Sequence, residues 1–193
     1  NSLMVVFAGT TLKKSADAHF PFEVNRNFYY LSGIDEEQAV LVLHNQQGTT
    51  KELLFIRDIN PAMEKWNGFY ISKEQARSTS GVDSVFYLSS FESMISRILS
   101  RTLIEVVAVD HERVIQSDIP STGEGFANDV RQKWLLPVEN AYPLIAALRT
   151  IKDDQEVEKI KQAIDVTNEA FLNMLKATKP GKYEYQLQAE FEV

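Results

Sequence analysis

The chain contains no cysteine among its 193 residues. It therefore has neither a disulfide framework nor a thiolate metal site, which fits a reducing compartment. It also lacks any apolar run that approaches the roughly 20 residues of a membrane-spanning helix. The apolar residues 3–8 (LMVVFA) are few and have no basic leader before them, so we interpret them as a buried strand rather than a signal peptide.

Basic residues are in the minority, with 20 Lys and Arg against 27 Asp and Glu, which gives a formal net charge of −7. This balance argues against nucleic acid as a partner, because phosphate binding needs a basic face. It argues equally against an anionic membrane surface. The apolar share of 44% and the charged share of 24% are typical of globular proteins. The length suffices for one complete domain and part of a second.

Catalytic motifs are absent as well. The three histidines, His19, His44 and His111, show no metal-binding spacing, and we expect surface or capping positions for His44 and His111. There is no nucleophile elbow of the G-x-S-x-G type. Asp110 and His111 are neighbours at a predicted strand end, but no sequence motif identifies a nucleophilic serine that could complete a catalytic triad with them.

Two further segments are weak candidates for binding an ion. Residues 121–125 (STGEG) precede a predicted helix, yet they lack the third glycine of a dinucleotide site and the lysine of a P-loop. The acidic residues of 153–158 stand at a helix start, where carboxylates favour the helix dipole. The residues themselves therefore predict neither a catalytic residue nor a metal ligand in this chain.

Strand and helix patterns alternate along the first 142 residues. This alternation predicts an α/β domain in which helices form layers around one sheet. A helix that carries Met63 and Trp66 is expected to end near Gly68, and Ser72 with Gln75 predicts a capping box. The expected strands are residues 3–8, 39–43, 51–57, 84–88, 104–109 and 138–142, and the other helices are residues 89–101 and 121–135, the latter opened by Pro120.

The apolar cluster 28–31 (FYYL) predicts a short helical turn that Gly33 ends. We expect its aromatic side chains, Phe28, Tyr29 and Tyr30, to belong to the core. The preceding residues 9–17 are predicted to be a polar loop.

The chain changes character near Arg149. From Asp153, which forms a predicted cap pair with Glu156, one long amphipathic helix runs until Pro180-Gly181 ends it. Two interpretations remain open. The helix either packs back on the α/β domain as an arm or opens a second domain, and the sequence patterns favour neither.

Several blocks, in order, resemble one protein family. They are Ser15-Ala16-Asp17, the Phe-Pro-Phe-x-x-Asn-x-x-Phe-x-Tyr-Leu-x-Gly pattern of residues 20–33, Trp66-Asn67-Gly68, Gly81-Val82-Asp83, Arg149-Thr150-Ile151-Lys152 and the Lys-Pro-Gly of residues 179–181. Together they resemble the N-terminal domain of the Xaa-Pro aminopeptidases, metallopeptidases related to prolidase and creatinase.

The resemblance implies a fold and a domain division. Residues 1–148 would form an accessory α/β domain with a mixed β-sheet flanked by helices, of the creatinase and aminopeptidase P type. Residues 149–193 would be the first helices of a pita-bread catalytic domain, incomplete here. The expected role is a non-catalytic one in oligomerisation and in shaping access to the active site of an enzyme that removes a residue preceding proline. The blocks also leave open a prolidase N-terminal domain, or a peptide- or protein-binding module of the same fold.

The resemblance further implies cofactors, partners and site residues. Two divalent metal ions, with manganese expected, belong to the complete enzyme, and all their ligands would lie beyond this chain. Trp66 and Asp17 occupy the motif positions expected to line a neighbouring subunit's active-site entrance. The expected partners are the protein's own catalytic domain, other subunits of a homo-oligomer and proline-containing peptides, in the cytoplasm, with no nucleic acid and no membrane.

Overall fold

The computed structural model describes residues 1–111 and 121–192, and the side chain of Asn67 lies outside this description. The strands within these ranges are β1 (Ser2–Phe7), β2 (Lys13–Ser15), β3 (Ala18–His19), β4 (Val40–Gln46), β5 (Thr49–Ile56), β6 (Ser84–Tyr87), β7 (Val106–Val109) and β8 (Val138–Asn140). The helices are α1 (Arg26–Ser32), α2 (Pro61–Asn67), α3 (Lys73–Ser80), α4 (Phe91–Arg101), α5 (Thr122–Asp129), α6 (Tyr142–Thr150), α7 (Asp154–Ala177) and α8 (Glu184–Glu192). A 3₁₀ turn (Leu88–Ser90) precedes α4, and a π-helical segment (Val130–Trp134) continues α5.

Six strands form one mixed sheet in the order β6-β5-β4-β1-β7-β8. Only β4 runs against its neighbours, so β1, β5, β6, β7 and β8 all point the same way. The antiparallel pair β4–β5 is closed by Gln47 and Gly48, both with positive φ, as a two-residue hairpin requires. The α/β prediction with a mixed sheet is confirmed.

Each face of the sheet is covered by helices. The side chains of strand β1 alternate between the two faces and so contribute to both hydrophobic cores. Leu3 and Val5 point to the first face, which α4 and α5 cover. Val6 points to the second face, which α1, α3 and α6 cover. The central strands are therefore buried on both sides, which accounts for their continuous apolar sequences.

Local signals set the helix ends as the sequence predicts. The Asn25 side chain accepts hydrogen bonds from two backbone amides at the start of α1, and Gly33 ends that helix with φ 67°. Both predicted capping boxes form, Ser72 with Gln75 on α3 and Asp153 with Glu156 on α7.

Two local predictions were wrong, and a third was confirmed with a change of helix geometry. Phe28 is fully buried, but Tyr29 and Tyr30 are exposed, because each residue turns a helix by about 100° and only one side of the short α1 faces the sheet. The polar loop expected at residues 9–17 contains most of a small hairpin, β2–β3. The predicted helix 121–135 changes from α to π geometry at Val130, and its expected opening residue, Pro120, lies outside the described residues.

Helix α5 approaches the end of β7 very closely. A Cβ atom built on Gly123 would lie 2.6 Å from the carbonyl oxygen of Asp110, so only glycine permits this distance. The Asp110 carboxylate is buried and accepts hydrogen bonds of 3.2 and 3.1 Å from Nδ2 of Asn27 on α1. Asp110 thus joins a helix from each face of the sheet to the end of β7.

The chain divides into two compact units, residues 1–146 and 147–193. The first contains the six-stranded sheet. The second contains α7 and α8, neither of which has a fully buried residue, and Tyr183 stacks on Tyr185 with 5.8 Å between ring centroids. The assignment of these units to an accessory domain and the start of a catalytic domain stays a prediction. Among the described residues, none of the helices combines the length and apolarity that crossing a bilayer demands.

Candidate functional site

The two residues singled out from the sequence lie on segments that leave the sheet at one edge. Strands β1 and β5 point the same way, so their carboxyl ends share that edge. The chain after β1 forms the β2–β3 hairpin, whose turn contains Asp17. The chain after β5 forms α2, which contains Trp66.

Trp66 is unusually exposed for a tryptophan, at 84%. Helix α2 begins at Pro61, with the Asn60 side chain accepting a hydrogen bond from the Ala62 amide. Phe69, just after the helix, is 93% exposed, and Ile59 and Met63 are exposed too. We call these four residues, Ile59, Met63, Trp66 and Phe69, the α2 patch. An exposed apolar cluster of this kind is typical of an interaction surface.

Asp17 occupies the tip of the hairpin beside Ala16, which has a positive φ of 40°. Its side chain is exposed, and within the described residues no hydrogen bond or ion pair links it to Trp66. Two exposed apolar side chains, Leu12 and Phe20, flank the hairpin, and the Lys14 ammonium lies 5.7 Å from the centroid of the Phe20 ring. The hairpin therefore carries both charge and apolar surface.

A polar network fixes the bases of both segments to the same point. Glu37 accepts hydrogen bonds from the backbone amide (3.0 Å) and the hydroxyl of Thr11, which precedes the hairpin. The same carboxylate pairs with Arg57, which follows β5. The Arg57 guanidinium lies 4.7 Å from the centroid of the Tyr70 ring, beyond the end of α2. Glu37 thus connects Thr11, which precedes the hairpin with Asp17, to Arg57, which precedes the helix with Trp66.

The charge states in this network follow from its contacts. Partial burial acts against ionisation of Glu37, but the hydrogen bonds from Thr11 and Arg57 outweigh it and lower the pKa of Glu37. Burial likewise opposes the charge of Arg57, whereas its hydrogen bonds to Glu37 and Tyr70 raise its pKa. The neighbouring Glu36 has a raised pKa, chiefly because burial disfavours its charged form. The Arg57–Glu37 pair is therefore ionised at neutral pH.

Motif reasoning missed this network, although the sequence contains a usable signal. In the β4–β5 hairpin, Val40 pairs with Phe55. Continuing that antiparallel register by two residues places Arg57 opposite Gln38, the neighbour of Glu37. Opposite charges just beyond the ends of two paired strands therefore predict the contact once the turn at Gln47 is assigned.

The histidines do not converge on a site. His44 was expected at the surface but lies in β4 and is only 8% exposed, and burial followed by the nearby Lys51 charge lowers its pKa. The expectation that His44 lies at the surface was wrong because β4 is one of the two central strands of the sheet. Across residues 1–111 and 121–192, three or more His, Asp or Glu side chains nowhere gather in a way that could hold a metal ion.

Residues 1–106 match the family described as aminopeptidase P, N-terminal domain. This match spans more than half of the chain. The chain belongs to the aminopeptidase P N-terminal domain family.

Members of the curated set share similarity along nearly all of the chain. The Xaa-Pro aminopeptidase of Haemophilus influenzae is 23% identical over 98% of this chain and 42% of its own length. Xaa-Pro aminopeptidase 3 of Homo sapiens is 28% identical over 98% of this chain and 38% of its own length. The chain therefore spans about two fifths of the length of the curated relatives that it matches.

Solved structures give the same picture for the fold. A Bacillus anthracis protein described as an aminopeptidase P is 39% identical, with a TM-score of 0.92 over 99% of this chain and 46% of that one. Aminopeptidase P of Escherichia coli is 24% identical, with a TM-score of 0.81 over 98% of this chain and 44% of that one. The six-stranded mixed sheet with its flanking helices is thus the fold of this family.

Proposed function

We propose that this chain is the non-catalytic N-terminal part of a metal-dependent Xaa-Pro aminopeptidase, which removes an N-terminal residue preceding proline. Its role is to contact neighbouring subunits and to restrict which peptides reach a neighbour's active site. One observation carries this proposal: Trp66 on α2 and Phe69 just after it are almost fully exposed, and the ionised Glu37–Arg57 pair fixes the chain before this helix. Burying such side chains against a partner would be strongly favourable.

In this proposal Trp66 and Asp17 supply two different contacts at the entrance. Trp66 provides apolar area, and the Asp17 carboxylate favours a peptide's N-terminal ammonium. The Glu37 network keeps their two segments at one edge of the sheet. The further partners are the catalytic part of the same protein and proline-containing peptides, in the cytoplasm, without nucleic acid or membrane.

The proposed metal ions do not fit the residues at hand. The described part of the chain offers no converging set of carboxylate and imidazole donors. We therefore assign the two divalent ions, with manganese as the expected metal, to the longer enzyme and derive no step of the reaction from this chain.

The test compares the full-length enzyme with its Trp66→Ala variant. Hydrolysis of a tripeptide with proline second is measured with added Mn²⁺. We expect kcat/KM to fall by roughly tenfold or more, as truncation of a central aromatic contact does. The matched control is Leu103→Ala, because Leu103 is equally exposed but precedes β7 at the opposite edge of the sheet. Unfolding of the 193-residue chain should be unchanged by either substitution, since both side chains are exposed.

The outcomes separate the rival functions. Equal activity of the Trp66→Ala and Leu103→Ala enzymes would refute the proposal that Trp66 controls access to a neighbour's active site. Hydrolysis of dipeptides alone would indicate a prolidase instead, and an absence of metal-dependent hydrolysis would favour a binding module.

A further inference from the structure

An open groove of about 840 Å³ lies on the first face of the sheet, within residues 1–146. Helix α4 forms one wall, and α5 with its π-helical continuation forms the other. The groove reaches the carboxyl end of β1, which is where ligands bind in open α/β sheets. Its volume falls within the range of about 300–1,000 Å³ typical of small-molecule sites.

The floor of the groove is apolar and aromatic. The rings of Phe7 and Phe126 have centroids 5.5 Å apart, and those of Phe91 and Phe126 are 5.8 Å apart. Val40 and Ile95 complete this surface. A flat ring or branched apolar group would gain dispersion and hydrophobic energy here.

The rim carries an excess of negative charge. Its carboxylates are Asp58, Glu92 and Asp129, and the one ammonium group among the described lining residues, Lys133, lies 2.8 Å from Asp129. The charge of Lys133 also acts on Glu92, and that of Lys73 acts on Asp58, so three carboxylates face two ammonium groups and one negative charge remains in excess. Such a rim disfavours an anionic ligand and favours a positively charged one.

The Asp58 carboxylate is held in an ionised state. It accepts hydrogen bonds from the Ser89 amide (3.0 Å) and hydroxyl (2.6 Å), and these bonds lower its pKa. Asp58 therefore keeps its charge at one end of the groove in neutral and mildly acidic solution. The π-helical geometry of the opposite wall, from Val130 to Trp134, is rare and is frequently found at functional sites.

We propose that this groove binds a small ligand in which an aromatic ring is joined to a primary ammonium group. The ring would lie on the phenylalanine floor while the ammonium group faces the carboxylates of the rim. A small molecule fits better than a protein partner, because the lining is concave and stable protein interfaces need about 800 Å² on each side. None of the four residues of the α2 patch lines the groove, so the groove can be tested independently of the proposed function.

The chain contains its own reporter for this site. Trp134 lines the groove, and the other tryptophan of the chain, Trp66, does not. In the Trp66→Phe protein, tryptophan fluorescence therefore reports on the groove. Phenethylamine is the probe, and phenethyl alcohol, phenylpropionate and n-butylamine are its neutral, anionic and ring-free analogues.

We expect a saturable fluorescence change with phenethylamine, and a dissociation constant roughly tenfold lower than that of any analogue. Added salt should weaken the binding, because the rim charges are exposed. Replacing Glu92 by Gln should weaken it roughly two- to fivefold, as expected for an exposed charge pair.

A second variant blocks the groove without removing any core atom. Gly125 lines the groove, its φ is ordinary, and a Cβ built there meets nothing within 4 Å. Gly125→Leu should therefore preserve the fold and abolish phenethylamine binding. Asn128→Leu is the matched control, since this residue is exposed on the same helix but does not line the groove.

Three results would overturn the proposal. They are a response that does not saturate, equal binding of the alcohol or the anion, and unchanged binding in a Gly125→Leu protein whose circular dichroism is native. If Gly125→Leu fails to fold, the Glu92→Gln titration decides, and an unaltered dissociation constant there counts against the rim's role.

Discussion

The α/β unit and the helical unit make opposite use of the same amphipathic pattern. Helix α4 buries its apolar stripe against the sheet, so Ile95 and Leu99 are nearly inaccessible. Helix α7 carries a similar stripe, but none of its residues is fully buried and Ile164 is 59% exposed. A helical period therefore predicts an apolar face, whereas burial depends on what the rest of the structure supplies.

This difference predicts where the stability of the chain resides. Buried apolar area contributes roughly 25 cal/mol per Å², and the sheet with its two faces contains the buried side chains. Helix α7 contacts α8, but neither helix has a fully buried residue, so less apolar area is buried there. Substitutions of similar size should therefore have very different effects in the two units.

The largest effect should come from Phe28→Ala, which empties a fully buried site under α1. We expect a loss of about 3–5 kcal/mol in the free energy of unfolding. Ile164→Ala in α7 should cost less than about 0.5 kcal/mol, because that side chain is largely in water. Urea unfolding followed by circular dichroism measures both. Losses of equal size would show that α7 is buried in solution and would break the comparison.

A smaller and pH-dependent effect is expected at Glu37. Removing its charge by Glu37→Gln should cost about 1–2 kcal/mol at neutral pH, because Arg57 loses its anionic partner. The folded-state pKa of Glu37 is lowered, so its contribution is fully present above the unfolded-state pKa. The contribution disappears as pH falls through the folded-state value.

The measurement for Glu37 is the difference in unfolding free energy between the two proteins across an acid titration. The exposed Glu139→Gln serves as control. A difference that stays constant down to the most acidic pH would mean that charge is not the cause.

The smallest effect compares two capping boxes of the same hydrogen-bonding pattern. Ser72→Ala on α3 and Asp153→Ala on α7 each remove the side-chain acceptor of a capping box and should cost about 1 kcal/mol locally. Because α3 buries Ala76 in the core, its loss should lower the global unfolding free energy. Loss of the Asp153 cap should instead speed amide hydrogen exchange in the first turn of α7 alone. Global destabilisation by Asp153→Ala would contradict the expectation that the effect of this cap stays local.

Sequence reasoning succeeded where the cause is local. The pairs Ser72 with Gln75 and Asp153 with Glu156 mark helix starts through hydrogen bonds between residues three apart in the sequence. Strand β5 was recognisable because its apolar run is continuous. These features need no knowledge of the tertiary fold.

Sequence reasoning failed where the exposure or contacts of a residue depend on segments that are distant in the sequence. The exposure of Tyr29 and Tyr30 depends on which side of α1 meets the sheet, and no local pattern states this. Helix α6 was missed because the preceding strand pattern was extended to Tyr142. The Glu37–Arg57 network escaped notice because it requires the hairpin register, and the groove requires the spacing of two helices that are remote in sequence.

Gly123 and Gly125 lie two residues apart on α5, about 200° around its axis. They differ completely in mutational tolerance. Position 123 is closed to every other residue, because any side chain would push the helix away from the Asp110 carbonyl. Position 125 faces open space and can accept a larger residue without moving the helix. Natural variation can therefore resize the groove at one position while the other keeps its walls in place, so the shape of the cavity can diverge among relatives without any change of fold.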